Sequence, residues 1–90
     1  LYNYSRVVKK IPGGFMKELV TSIVKCLVDN EQSVEVKEVT GNFTYVYEVS
    51  ADKTDVGKII GKQGNTAAAI RTILKAASKK HNKKYILNIL

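Results

Sequence analysis

The sequence predicts an α+β fold, a layered single domain in which three helices pack on one face of a three-stranded mixed sheet, in the order α-β-β-α-α-β. Three observations lead there. Apolar residues recur at helical spacing over 16–30. Two runs rich in β-branched and aromatic residues, SVEVKEVT (33–40) and FTYVYEVS (43–50), flank a Gly-Asn link. Two helical segments then separate these strands from an apolar run, KKYILNIL (83–90), and such a connection makes the last strand parallel to the one before it. Ninety residues can bury one small core, and 44% hydrophobic residues with a single Pro mark a folded chain.

Residues 1–15, LYNYSRVVKKIPGGF, precede the only methionine and end in Pro-Gly-Gly. They read as an N-terminal extension, a tag or an alternative start, with the domain at 16–90. From Met16, the residues Leu19, Val20, Ile23, Val24, Leu27 and Val28 form one helical stripe, ending at Asp29-Asn30. In the second strand Phe43, Tyr45, Tyr47 and Val49 share a face. In the first, Val34 and Val36 give way to Val39, which leaves room for a bulge or register break. Gly41-Asn42 suits a tight primed turn. ADKTD (51–55) offers Thr54 or Asp55 as an N-cap for a short helix that Gly61 stops, and Asn65 or Thr66 as the cap of a longer helix reaching Lys80 or His81. Its apolar stripe is Ile70, Ile73, Leu74 and Ala77. Asn82 suits the left-handed residue that ends a helix.

Net charge is +7, and it is unevenly placed. Residues 53–84 carry nine Lys or Arg against one acid, Asp55, while the first 52 residues carry six bases and seven acids. A polyanion is therefore the expected partner, and its site falls in the second half. The bland alternative is a solvated basic surface, which has no need of the glycine-rich stretch within it.

That stretch is VGKIIGKQGNT (56–66). A nucleotide-binding P-loop requires four residues between its glycines and a hydroxyl after its lysine. Here three residues separate Gly57 from Gly61, and Gln63 stands where the hydroxyl belongs. No G-x-G-x-x-G is present either. A turn of Gly61-Lys62-Gln63-Gly64 between two helices is better suited to a nucleic-acid backbone. Glycines at both ends let a sugar-phosphate chain approach closely, the next helix presents free N–H groups, and Lys62 supplies a charge. Val56, Ile59 and Ile60 can form an apolar wall for unpaired bases.

The run I-I-G-K-Q-G-x-T, with V-G-K before it and A-x-R-T-I-L after it, resembles the core of a KH domain, and the element order resembles the type II arrangement. The chain is most similar to the KhpA family of small bacterial single-KH RNA-binding proteins, from about Met16 to Leu90. The resemblance implies a GxxG loop that clamps about four nucleotides of a single strand. Carried over by position, the loop is Gly61, Lys62, Gln63 and Gly64. The preceding helix contributes Gly57, Lys58 and Ile60, and Arg71 and Lys75 share one face of the next helix. Asn65-Thr66 departs from the basic or small residue found there in many relatives. The resemblance further implies an RNA chaperone or post-transcriptional regulator tied to cell-wall homeostasis and cell elongation. Its implied partners are single-stranded RNA, with single-stranded DNA open, a second copy as homodimer, and a larger KH protein of the KhpB (Jag) type as heterodimer. The rival reading is a dimerisation subunit with incidental RNA contact, because the loop region of type II relatives can itself lie at a dimer interface.

Other residues read as structural. Tyr45, Tyr47 and Tyr85 are expected in the core rather than stacking bases, His81 as a helix cap, and Cys26 as a small buried hydrophobe. One Cys and one His give neither a disulfide, a metal cluster nor a catalytic dyad. No enzyme activity, cofactor or metal is expected. No apolar run approaches the ~20 residues of a membrane span, so no membrane association and a cytoplasmic location are expected.

Overall fold

The computed structural model describes residues 16–90, so the reading of 1–15 lies outside the described residues. The elements are α1 (Met16–Leu27), β1 (Glu35–Thr40), β2 (Thr44–Ser50), α2 (Val56–Ile60), α3 (Asn65–His81) and β3 (Lys84–Ile89). Short 3-10 turns lie at Glu31–Ser33 and Lys62–Gly64. The sheet order is β1-β2-β3, antiparallel then parallel, as the connection lengths require. The helices cover one face. Met16, Val20 and Val24 of α1, Ile59 of α2 and Ile70, Leu74 and Ala77 of α3 pack on Val36, Tyr47, Val49, Tyr85 and Leu87.

β1 and β2 pair in a single register with no bulge, from Glu35 opposite Ser50 to Thr40 opposite Tyr45. Val39 breaks the alternation because it lies on the open face of the sheet, opposite Val46. The link is Asn42-Phe43 rather than Gly41-Asn42, with the Gly41 N–H donating to the Thr44 carbonyl at 2.8 Å. The shift changes which charges face each other. The observed register sets Lys37 opposite Glu48, whereas a link at 41–42 would set Glu35 against Glu48. Nor is the turn primed. The residue with positive φ is Phe43, at 59°, a conformation that disfavours a bulky side chain by about 1–2 kcal/mol. Its carbonyl accepts the Lys84 N–H at 2.7 Å, tying the hairpin tip to the start of β3.

Three tyrosines meet on the helix-covered face. Tyr45 and Tyr47 each lie about 6 Å, centroid to centroid, from Tyr85 (5.6 and 6.2 Å). Tyr47 and Tyr85 are buried and Tyr45 half-buried, as expected of core residues. The Tyr47 hydroxyl and Glu38 Oε2 are buried without a hydrogen-bond partner, and burial first, with Glu38 adding to it, raises the Tyr47 phenol far above its usual range. Cys26 is exposed, not buried. At 100° per residue it points away from the Val20–Val24 stripe despite its apolar sequence neighbours. His81 is not a cap either. Its Nδ1 lies 2.9 Å from the Tyr85 hydroxyl and its ring meets Tyr85 edge-on, while Asn82 ends the helix in the left-handed conformation.

α1 stops at Leu27, three residues earlier than the periodicity predicts, because Asp29 and Asn30 turn their N–H groups to the Asp55 carboxylate at 3.3 and 3.0 Å. Asp55 occupies the N-cap position of α2, yet its side chain caps nothing there. Asp52 instead accepts from the Thr54 N–H and hydroxyl, closing the connection. Asp55 is the one buried charged residue among those described, at 1% exposure. The Asn30 N–H first, then the Asp29 N–H and Lys58, hold its carboxyl below the usual carboxylate range against the opposing effect of burial. A depressed pKa contributes stability in full above the unfolded value and loses it as pH falls through the folded value. Urea denaturation from pH 7 to pH 2 is therefore expected to show a loss of stability below about pH 4. Asp55→Asn should lower the midpoint at pH 7 and remove this part of the acid dependence.

Candidate nucleic-acid interface

α2 is five residues long, too short to persist alone, and it is held from three sides. Asp55 fixes its start, Ile59 is fully buried in the core, and the Gly61 N–H closes its last turn on the Gly57 carbonyl at 2.8 Å. Gly61 then takes φ 78°, ψ 174°, a region open essentially to glycine alone. A Cβ there would sit 2.1 Å from Thr66 Oγ1 and 2.8 Å from the Thr66 backbone nitrogen. Gln63 (φ 57°) and Gly64 (φ 78°) follow in the left-handed region. The turn thus carries the chain from the end of α2 to the start of α3 in four residues.

Its two glycines do different work. Gly61 is packed against Thr66 and makes the bend possible. Gly64, like Gly57 on α2, would meet no atom within 4 Å if it carried a Cβ, so its surface is open. Gly64 is also the N-cap of α3 and supplies no side-chain cap. Neither Asn65 nor Thr66 caps the helix, for both lie within it. The first-turn N–H groups of a 17-residue helix therefore face an open, uncapped turn with the exposed Lys62 and Gln63 at its tip.

The remaining predicted residues divide. Ile60 is 40% exposed beside the turn and Val56 is half-buried, but Ile59 belongs to the core and is no part of an apolar wall. Lys58 is occupied: its ammonium binds Asp29 and lies 3.2 Å from Asp55 Oδ1, and the Asp29 contact chiefly raises its pKa. It therefore brings little free charge to the turn. Arg71 donates from Nη2 to the Leu87 carbonyl at 3.4 Å, and Ser78, further along α3, accepts the Tyr85 N–H at 3.0 Å. Arg71 and the exposed Lys75, one turn on, thus rise along the seam between α3 and the outer edge of β3, an edge with no strand partner among the described residues. Sequence reasoning named Asp29, Asp55 and Thr66 only as helix-end or cap residues and missed their observed roles, Asp29 and Asp55 as partners of Lys58 and Thr66 as the neighbour of Gly61. The i,i+3 spacing of Asp55 and Lys58 was a readable signal for that pair. Asp29 and Thr66 come into contact only through the tertiary fold. No cluster of three or more metal-ligating side chains exists among the described residues.

A mixed sheet of this order, covered on one face by helices and carrying a G-x-x-G turn between the two helices that precede the parallel strand, defines a type II KH domain. Residues 17–89 match the family model for the KhpA/KhpB KH domain, and the chain belongs to that family. It is 49% identical over 75 residues to a Clostridium perfringens protein, covering 83% of this chain and all of that one. To a Chlamydia pneumoniae protein it is 47% identical, covering 83% and 96% of the two chains. To one from Clostridium acetobutylicum it is also 47% identical, covering 83% and 100%. Each of these relatives is named RNA-binding protein KhpA. No solved structure matches the chain.

The two glycines should separate on mutation. Gly61→Ala meets both strain and collision and is expected to destabilise by roughly 2–4 kcal/mol. Gly64→Ala meets strain alone, about 1 kcal/mol. Urea midpoints of the two variants measured side by side check the ordering.

Proposed function

We propose that the chain binds single-stranded RNA, gripping the sugar-phosphate backbone with Gly61, Lys62, Gln63 and Gly64. The observation that carries this reading is the open surface at Gly64, set against the uncapped N-terminus of α3. A phosphate there meets main-chain N–H groups and the positive end of the helix, and Lys62 adds a mobile cation. Gly57 leaves the α2 side of the approach clear, and Ile60 offers an apolar surface to an unpaired base. Arg71 and Lys75 extend the positive charge along the α3–β3 seam. Lys58 acts one step back, by holding α2 in place. Single-stranded DNA shares the phosphates and differs in lacking the 2′-hydroxyl. The relatives' printed name supports RNA. A role as RNA chaperone or post-transcriptional regulator in cell-wall homeostasis and cell elongation, in the cytoplasm, rests on resemblance to the KhpA family.

One module that clamps about four nucleotides binds weakly, and a second module raises the effective concentration of the first. The surface we propose for it lies on α3. Ala69, Thr72, Ile73 and Ala76 line a shallow, mainly apolar recess on the helix flank away from Arg71 and Lys75. This favours a second copy, or a KhpB (Jag)-type KH protein, as a partner that leaves the loop free. The same recess serves the rival reading, a dimerisation subunit with incidental RNA contact.

The double substitution Lys62→Asp and Gln63→Asp decides between the two readings, since Asp tolerates the left-handed conformation of position 63. Retention of single-stranded oligoribonucleotides in a gel is expected to fall by more than about tenfold, with the mass by light scattering and the thermal midpoint unchanged. Binding equal to the parent's would reject the loop as the grip. For the parent, the log–log salt slope should lie near −2 to −3, about −0.7 for each of three or four phosphates.

A further inference from the structure

We infer a second nucleic-acid contact at the opposite end of α3, where Phe43 and the lysines around the α3–β3 turn take further nucleotides of the strand that the loop holds. The inference rests on the RNA-binding reading above and extends it. Charge is the first argument. No acid occurs after Asp55, yet the loop uses little of the surplus that results, because Lys58 is neutralised by Asp29 and Asp55. Four lysines, Lys79, Lys80, Lys83 and Lys84, fall instead within the six residues where α3 ends and β3 begins, and residues 39–47 of the adjoining hairpin contain no acid. A 17-residue helix sets this cluster about 25 Å from the loop, beyond the reach of a four-nucleotide grip.

The second argument is Phe43. It holds a positive φ of 59° that Asn, Asp or Gly would adopt far more readily, and its side chain is 74% exposed. Neither the backbone nor the core accounts for a phenyl ring there. An exposed ring beside cations is what a stacking platform for unpaired bases needs. The fold also ties the Phe43 backbone to the start of β3, since the Lys84 N–H binds the Phe43 carbonyl, and Lys83 Nζ lies 5.1 Å from the centroid of the nearby Tyr45 ring. The exposed Arg71, Lys75 and Lys79, spaced four apart on α3, give the phosphates a basic path between the two ends.

The test compares 4- and 12-nucleotide single-stranded oligoribonucleotides by fluorescence anisotropy on the whole chain. The parent is expected to bind the 12-mer more tightly, with a salt slope steeper by about 1–2. Phe43→Asn suits the backbone and removes the ring, so it should weaken the 12-mer about tenfold, leave the 4-mer unchanged and not lower the thermal midpoint. Lys80→Glu with Lys84→Glu should do the same and flatten the extra slope. Equal affinity for the two lengths, or a 12-mer indifferent to all three substitutions, overturns the second contact while 4-mer binding keeps the loop reading. A patch that serves an acidic protein would give that same flat result. Failure of both oligonucleotides to bind overturns both readings.

Discussion

A buried carboxylate fixes where the half of the molecule that carries the glycine turn begins. Asp55 is withdrawn from water, and an ion so placed is tolerated only when its oxygens are satisfied. Here they are, by two backbone N–H groups from the exit of α1 and by the ammonium of Lys58. The end of the first helix, the start of the second and the direction of Lys58 therefore cannot be set independently. The glycine turn begins six positions beyond this anchor, with Ile59 wedged into the core between. Precision at the turn comes from constraint upstream, which lets the turn itself stay open.

That arrangement divides labour within one glycine motif and one cluster of lysines. Gly61 is there for the fold, because Thr66 fills the space that any side chain would need. Gly64 leaves a surface and makes no contact through a side chain. Lys58 and Lys62 are four positions apart and both basic, yet one is paired with carboxylates and the other is exposed at the tip. Equal residue types thus carry unequal meaning, set by what the fold brings beside them.

Much of the fold was legible in the sequence. Helical periodicity placed α1 and α3, residue type placed β1 and β2, and the two-helix connection made β3 parallel. Asn82 announced the end of α3. The failures share a cause. The end of α1 depends on Asp55, 25 residues away in sequence from Asn30. The hairpin link lies one position beyond Gly-Asn, in a register that pairs Glu35 with Ser50 and Lys37 with Glu48. Cys26 and Ile59 were assigned from their neighbours in sequence, whereas the helix sorts residues by angle. For the candidate site, the motif located the turn and its flanking basic residues, but not which cation is already paired.

The parallel pairing of β2 with β3 shapes how the chain is made. β1 and β2 form a local hairpin, whereas the other edge of β2 waits for residues 84–89, with α2, the turn and α3 still to be synthesised. At ribosomal speeds those roughly forty residues take about 2–8 s. For that interval the central strand is an unpaired border carrying Tyr45, Tyr47 and Val49, open to any passing strand. The order of synthesis thus leaves this one edge of the central strand to be paired last.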